Sequence, residues 1–561
     1  MSIAVSPEVD AASFAPVAAE HGMVVTAQHL ATHVGVDVLK QGGNAVDAAV
    51  AVGYALAVVY PAAGNLGGGG FMTLQLADGR KTFLDFREKA PQAATPGMYL
   101  DAAGNVIRGL GTRGHLAVGV PGTVSGLEFA RSRYGTLTRQ RLIAPAIALA
   151  GGGFRLEQGD IDMLGSATAD FEKDAASGAI FLNKGKAFDA GERLVQKDLA
   201  ATLRAISRHG TDGFYKGSVG AAIVASSQAG KGILTQADLD QYATRELVPI
   251  ECDYRGYHVV SAPPPSSGGL IICEILNILE GYPLRDLGYR SAEAMHYQIE
   301  AMRHAYVDRN SYLGDPDFVN NPVSRLLDKA YAARIRAAID PQKVAISAEL
   351  KPGVSPHEGS NTTHYSIVDR WGNAVSVTYT LNDWFGARVT AAGTGVLLNN
   401  EMDDFTSKPG VPNLYGLVQG EANAIAPGKR PLSSMSPTIL SKDGKPVMVL
   451  GTPGGSRIIT AVLLTILNAV DYGMNVQEAV DAPRFHQQWQ PDTTNVEPYA
   501  LSPDTRKLLL GMGHKLGDAQ PANHLAAIIV GAPSLHGRPV GRNRFYGAND
   551  PRRNTGLALG Y

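Results

Sequence analysis

The stretch GSNTTHYSIVDRWGNAVSVTYTLNDW, residues 359–384, reads as a β-hairpin whose first strand opens on two adjacent threonines. Apolar and polar residues alternate through THYSIVDR and NAVSVTYTL, with Trp371 and Gly372 between them as the turn, which predicts two antiparallel strands. A turn at those two residues brings position 362 beside 381, so that Thr380 and Asn382 flank the start of the first strand. Thr362 then sits among polar groups. A threonine hydroxyl attacks poorly at neutral pH unless a base is adjacent, and its own α-amine can serve once the preceding peptide bond is cut. An unperturbed α-amine titrates at a pKa of about 8, suitably poised for that role, so Asn361–Thr362 is a candidate self-cleavage junction. Read alone, however, a Thr-Thr pair is an ordinary strand opening, because β-branched residues suit strands.

Further along, PVMVLGTPGGSRIITAVLLTILNAV (446–470) reads as a strand, a glycine turn and a helix apolar nearly all round, hence buried. Gly454 and Gly455 stand just before that helix, where N–H groups and the helix dipole favour an oxyanion. Without G-K-[ST] the turn is not a phosphate loop. Towards the N-terminus, residues 28–41 and 45–60 form a helical hairpin punctuated by Gly42 and Gly43 and stopped by Pro61. GNLGGGG (64–70) is expected to be a structural turn. The next stretch alternates as a hairpin around residues 77–80 and leaves Arg87 at what is expected to be an exposed strand end. Residues 135–250 and 290–345 read mainly as helices, with APPPSSGG (262–269) a rigid turn cluster between them. Strands flanked by helices predict stacked α and β layers.

Composition narrows the function classes. With 50 basic and 52 acidic residues the net charge is -2, which gives no footprint for nucleic acid or an anionic membrane and favours small-molecule chemistry. The longest apolar run, residues 48–63, is shorter than the roughly 20 residues needed to span a bilayer and reads as a buried helix. Two cysteines, Cys252 and Cys273, permit at most one disulfide and no thiolate metal cluster. The first 22 residues lack the basic start and apolar core of a signal peptide. The chain is therefore expected either to be cytoplasmic or to be exported by a signal outside this sequence.

Seven ordered motifs, DFREKAP (85–91), PPPSSGG (263–269), NTTHYSIVD (361–369), TYTLN (378–382), NNEMDDF (399–405), PLSSMSPT (431–438) and GTPGGSRI (451–458), run through most of the chain. By these it resembles the γ-glutamyltranspeptidases of the N-terminal-nucleophile hydrolase superfamily. The resemblance implies an α+β fold, a four-layer αββα sandwich shared by a large subunit (1–361) and a small subunit (362–561). These would arise from one precursor that cuts itself before Thr362. It implies Thr362 as nucleophile, Thr380 as its support, and Gly454 and Gly455 as the oxyanion site. Arg87, Ser433 and Ser434 would hold the α-carboxylate of a γ-glutamyl donor, and Asp404, Glu401 and Asn382 its ammonium. Bacterial members often carry glutamine where this chain has Glu401. Asp403 is left as a structural neighbour. Residues 406–424 resemble the family's lid, with Tyr415 at the gating position, and Trp384 and Phe385 lie either on the acceptor side or in the core.

No metal or organic cofactor is implied. The partners are small γ-glutamyl donors and amino-acid or peptide acceptors, and family habit favours the periplasm or secretion. Two alternatives stay open. A cephalosporin or glutaryl acylase shares the nucleophile but does not need to read an α-amine. A non-catalytic amino-acid binder would keep the pocket without processing.

Overall fold

The computed structural model describes residues 14–347, 350, 362–414, 416–521 and 523–561. Asn361 and Tyr415 lie outside the described residues. Fourteen strands build two seven-stranded sheets: β1 (Val17–Ala19), β2 (Met23–Thr26), β3 (Gly69–Gln75), β4 (Lys81–Phe86), β5 (Arg245–Leu247), β6 (Ile250–Tyr254), β7 (Tyr257–Ser261), β8 (Thr363–Val368), β9 (Ala374–Thr380), β10 (Thr438–Lys442), β11 (Lys445–Gly451), β12 (Ala526–Val530), β13 (Phe545–Asn549) and β14 (Leu557–Gly560). One sheet runs β1-β13-β12-β11-β10-β7-β6 and the other β14-β2-β8-β9-β3-β4-β5, with antiparallel pairing throughout.

The sheets stack face to face. Met23, Val25, Val368, Val449 and Ile528 pack between them, and Ser376 Oγ donates across the gap to Leu450 O at 3.0 Å. The opposite face of the second sheet, including Tyr365, Ile367 and Val377, packs on the helices His29–Lys40 and Ala45–Val59. The opposite face of the first sheet, including Leu440, Met448 and Ile529, packs on the helices Gly268–Leu279, Ala292–Tyr312 and Arg457–Val470. The result is the expected four-layer αββα sandwich. Ala45–Val59 is buried along its whole length, as its apolar run predicts. No helix among the described residues is long and apolar enough to cross a membrane.

The central hairpin forms, but its register differs by one from the expectation. Val368 pairs with Ala374 and Thr363 with Tyr379, so the frame sets position 362 opposite 380 rather than 381. The cause is the turn. Asp369 Oδ1 accepts from the amides of Trp371, Gly372 and Asn373, and Gly372 has φ +97°. This makes a three-residue loop with glycine in the left-handed position, not a two-residue one.

A second difference lies at residues 250–279. The expected turn cluster is short, and it is framed by the β6–β7 hairpin and the helix Gly268–Leu279. Cys252 on β6 is disulfide-bonded to Cys273 on that helix, with Cα atoms 5.9 Å apart.

Candidate active site

Segments far apart in the sequence meet where β8 begins and β9 ends. Thr362 is 5% exposed and lines a pocket together with Thr380, Asn382, Arg87, Glu401 and Asp404. Ser433, Ser434 and Gly455 line it too. Thr380 Oγ1 donates to Thr362 Oγ1 at 3.4 Å and accepts from the Asn382 amide at 2.8 Å. Asn382 has φ +76°, a left-handed conformation that asparagine tolerates better than most residues. It carries the chain away from β9 and lets Nδ2 donate to Asn400 O at 3.0 Å. Glycines make room beside this point: a Cβ on Gly68 would stand 1.9 Å from Thr380 O. GNLGGGG is thus structural, as expected.

Arg87 follows β4, but the strand end is buried, not exposed: the guanidinium is sealed at 1% exposure. Its two terminal nitrogens pair with Glu401 Oε1 and Asp404 Oδ2, and Glu88 Oε2 lies 3.8 Å away. Glu401 and Asp404 reach it together because a single 3-10 turn, Glu401–Asp404, carries both, and residues three apart eclipse in that helix type.

Three carboxyls thus surround one guanidinium. Burial lowers Arg87, yet attraction to Glu401, Asp404 and Glu88 outweighs it, so Arg87 stays charged. Burial drives Glu401 well above the carboxylate range, raises Asp404 and pushes Glu88 up to about 7. We take the surplus carboxyl to hold a proton. Glu401 Oε2 and both Glu88 oxygens meet no N–H or hydroxyl donor among the described residues, and the two carboxyls hydrogen-bond each other through that proton.

This buried acid gives a pH test of stability. Because Glu88 binds its proton more tightly folded than unfolded, its contribution to stability should fall as pH rises from about 4.5 to about 7. A difference of that size corresponds to about 3 kcal/mol. Glu88→Gln should flatten this slope in urea unfolding between pH 5 and 8, leaving the part that Glu401 and Asp404 contribute. Parallel wild-type and variant curves would contradict the assignment.

The serine pair is held by the cluster PPPSSGG. The Ser433 amide donates to Pro265 O at 2.9 Å and the Ser267 amide to Ser433 O at 2.8 Å, while Ser266 Oγ donates to Met435 O at 2.6 Å. Behind the glycine turn, Gly454 has φ +139° and Gly455 φ +55°. Their carbonyls accept from Arg457 and Ile458 amides, closing the turn, while the amides of Gly455 and Ser456 open a helix whose first N–H groups find no partner within it. Gly455 lines the pocket, and the neighbouring Gly454 packs so closely on Asn523 that a Cβ there would strike its Nδ2 at 1.9 Å. From residues 406–424, Leu417 reaches the pocket wall. Asp403 accepts from the Leu414 amide at 3.0 Å, tying that stretch to the acidic turn. Trp384 and Phe385 do not line the pocket. Phe385 packs edge-on against Phe171 in the core, and Trp384 lies under the Arg553 guanidinium.

A sequence model of the γ-glutamyltranspeptidase family matches residues 31–560. The chain belongs to the γ-glutamyltranspeptidase family. It is 77% identical over 554 residues to the glutathione hydrolase proenzyme of Pseudomonas sp. (strain A14), covering 99% of this chain and 96% of the relative. It is 50% identical to the glutathione hydrolase proenzyme of Escherichia coli (strain K12), covering 99% and 95%. Among solved structures, a cephalosporin acylase from Bacillus halodurans superposes with a TM-score of 0.84 at 28% identity, covering 100% of this chain and 99% of that one.

This γ-glutamyltranspeptidase family member also carries pocket residues that pattern reading misses. Arg309 lines the pocket from the helix Ala292–Tyr312. From the same helix, Tyr306 Oη donates to Ser456 O and braces the glycine turn. The available signal is that this helix buries Glu300, Arg303, Asp308 and Arg309 as well as its apolar residues, so no clean amphipathic stripe exists. A helix patterned in this way marks a polar interior.

Proposed function

We propose that the chain transfers γ-glutamyl groups from glutathione, glutamine or a related donor to water or an amine acceptor, after cutting itself between Asn361 and Thr362. The observation that carries this is the juxtaposition in one pocket of Thr362 with a guanidinium and a surplus of buried carboxyls, the complement of an α-amino-acid head group. Thr362 Oγ1 attacks the γ-carbonyl and passes its proton to its own freed α-amine. The tetrahedral oxyanion is held by the amides at Gly454 and Gly455. The leaving amine then departs with the proton, and water or an acceptor amine resolves the γ-glutamyl ester at Thr362.

In this reading Thr380 fixes the nucleophile. Asn382, Asp404 and Glu401 receive the ammonium, and Arg87, Ser433 and Ser434 receive the carboxylate. Tyr415 is proposed as the lid's gating residue. The large and small subunits, 1–361 and 362–561, would stay together after the cut, because β8 and β9 of one lie between β2 and β3 of the other. Periplasmic or secreted location is supported by the Cys252–Cys273 disulfide, since such bonds persist mainly in oxidising compartments.

An acylase of the same fold is the second reading, favoured by the structural likeness to a cephalosporin acylase. The acidic turn Glu401–Asp404 speaks against it, because a glutaryl group brings no cation to that turn.

Arg87→Ala should still be cut into two chains yet lose at least tenfold in kcat/KM on γ-glutamyl-p-nitroanilide, since charged hydrogen bonds contribute about 1.5–3 kcal/mol. Arg87→Lys should also lose activity, because an ammonium cannot reach Glu401 and Asp404 as a fork. A processed Arg87→Ala enzyme with wild-type kcat/KM would remove Arg87 from the site.

A further inference from the structure

The pocket holds a second buried cation whose surroundings differ from those of Arg87. Arg309 is 1% exposed, and among the described residues no carboxylate lies within 4.0 Å of it. Its partners are neutral oxygens. Nε donates to Ser267 Oγ at 2.9 Å, Nη1 to Asn310 Oδ1 at 2.8 Å and Nη2 to Ser434 Oγ at 2.8 Å. Ser267 Oγ in turn donates to Ser433 O at 2.7 Å, so Arg309 braces both serines of the pair. Asp404 attracts it from beyond ion-pair distance, but a guanidinium sealed from water without a directly paired anion is unfavourable, and such groups are normally retained with one. Burial accordingly lowers its proton affinity, to a pKa of about 10.

The serine hydroxyls make the direction of that missing charge specific. A hydroxyl has one proton to donate and lone pairs to accept with. Ser434 Oγ accepts from Arg309, and Ser433 Oγ accepts from the Met435 amide at 3.1 Å. Both serines line the pocket, and each hydroxyl, already accepting one hydrogen bond from the protein, still has its proton to give. Two O–H donors backed by a guanidinium favour an anion. Arg87 cannot supply this alone, because its terminal nitrogens are engaged by Glu401 and Asp404.

We propose that Arg309 is a positioning residue that selects donors bearing an α-carboxylate, by aiming the Ser434 hydroxyl into the pocket and placing a fixed positive charge behind it. The inference rests on the γ-glutamyl reading above, to which it adds the group that reads the carboxylate. It predicts coupling between Arg309 and the carboxylate of the substrate, not between Arg309 and the reacting carbonyl.

Three p-nitroanilides separate the possibilities: γ-glutamyl, glutaryl, which lacks the α-amine, and 4-aminobutanoyl, which lacks the α-carboxylate. Arg309→Met should raise KM for the γ-glutamyl compound tenfold or more while kcat stays within threefold, and should leave kcat/KM for the 4-aminobutanoyl compound within twofold. Arg309→Lys keeps the charge but not the fork to Ser267 and Ser434, and should show the same selective rise at smaller size. It is read in place of Arg309→Met if that variant fails to mature. Equal losses on the two donors, or an unchanged KM on the γ-glutamyl compound, overturn the proposal. A wild type that uses the glutaryl compound as well as the γ-glutamyl one overturns the amine reading instead, and the carboxylate comparison still decides on Arg309. A wild type that turns over none of the three overturns both.

Discussion

Thr362→Ala is expected to remain a single chain of 59.1 kDa with turnover reduced by roughly 10⁴-fold or more, the scale seen when an enzyme loses its nucleophile. The expectation comes from the hydroxyls around the pocket. Thr380 Oγ1 is held between Thr362 and the Asn382 amide, while Ser434 Oγ and Ser433 Oγ accept from Arg309 and the Met435 amide and have no α-amine of their own to act as base. Thr362 is the hydroxyl at the strand's end, where cutting the preceding bond would place an amine beside it. Processing and turnover use the same oxygen in this account, so one substitution should abolish both. A Thr362→Ala protein that splits normally, or one that hydrolyses γ-glutamyl-p-nitroanilide near the wild-type rate, would separate the two roles and refute it.

The second large effect is discrimination between γ-glutamyl-p-nitroanilide and glutaryl-p-nitroanilide, which differ only by the α-amino group. Sites built to hydrogen-bond a polar group reject analogues lacking it by up to about 10⁴–10⁵. With the pocket partly open to water, a kcat/KM ratio of roughly 10²–10⁴ is expected. The structure supplies the reason. Glu88, Glu401 and Asp404 crowd one guanidinium, and an arriving ammonium relieves their mutual repulsion, whereas a glutaryl chain leaves it in place. Asp404→Asn removes one of these charges and one partner of Arg87. It should lose most activity on the γ-glutamyl compound and narrow the ratio. Comparable kcat/KM on both compounds in the wild type would favour the acylase reading.

The layered fold was legible because its decisive parts are local. The central hairpin, the hairpin before Arg87, and the strand, glycine turn and helix of 446–470 all announce themselves by periodicity and turn residues. The β6–β7 hairpin did not, although its turn is tight: Arg255 and Gly256 have φ +47° and +80°. That turn type is usually signalled by Asn-Gly or Asp-Gly, and arginine at the first position hid it. At the site, the residues near Thr362 followed from the hairpin alone, and Gly455 from its place before a helix. Nothing local could show that Arg87 grips Glu401 and Asp404, which lie more than 300 positions away, or that Arg309 stands behind Ser434. Such pairings are made by the stacking of layers, and a charged residue within a helix looks the same in sequence whether it faces water or a pocket.

The central claim is that a chain begins at Thr362. Intact-mass measurement and N-terminal sequencing of the purified wild type test it most directly. Scaling 59.1 kDa by 361 and 200 of the 561 residues, the account predicts chains of about 38 and 21 kDa, the smaller beginning with Thr362. An active protein that stays whole, or a small fragment beginning at any other residue, would contradict it.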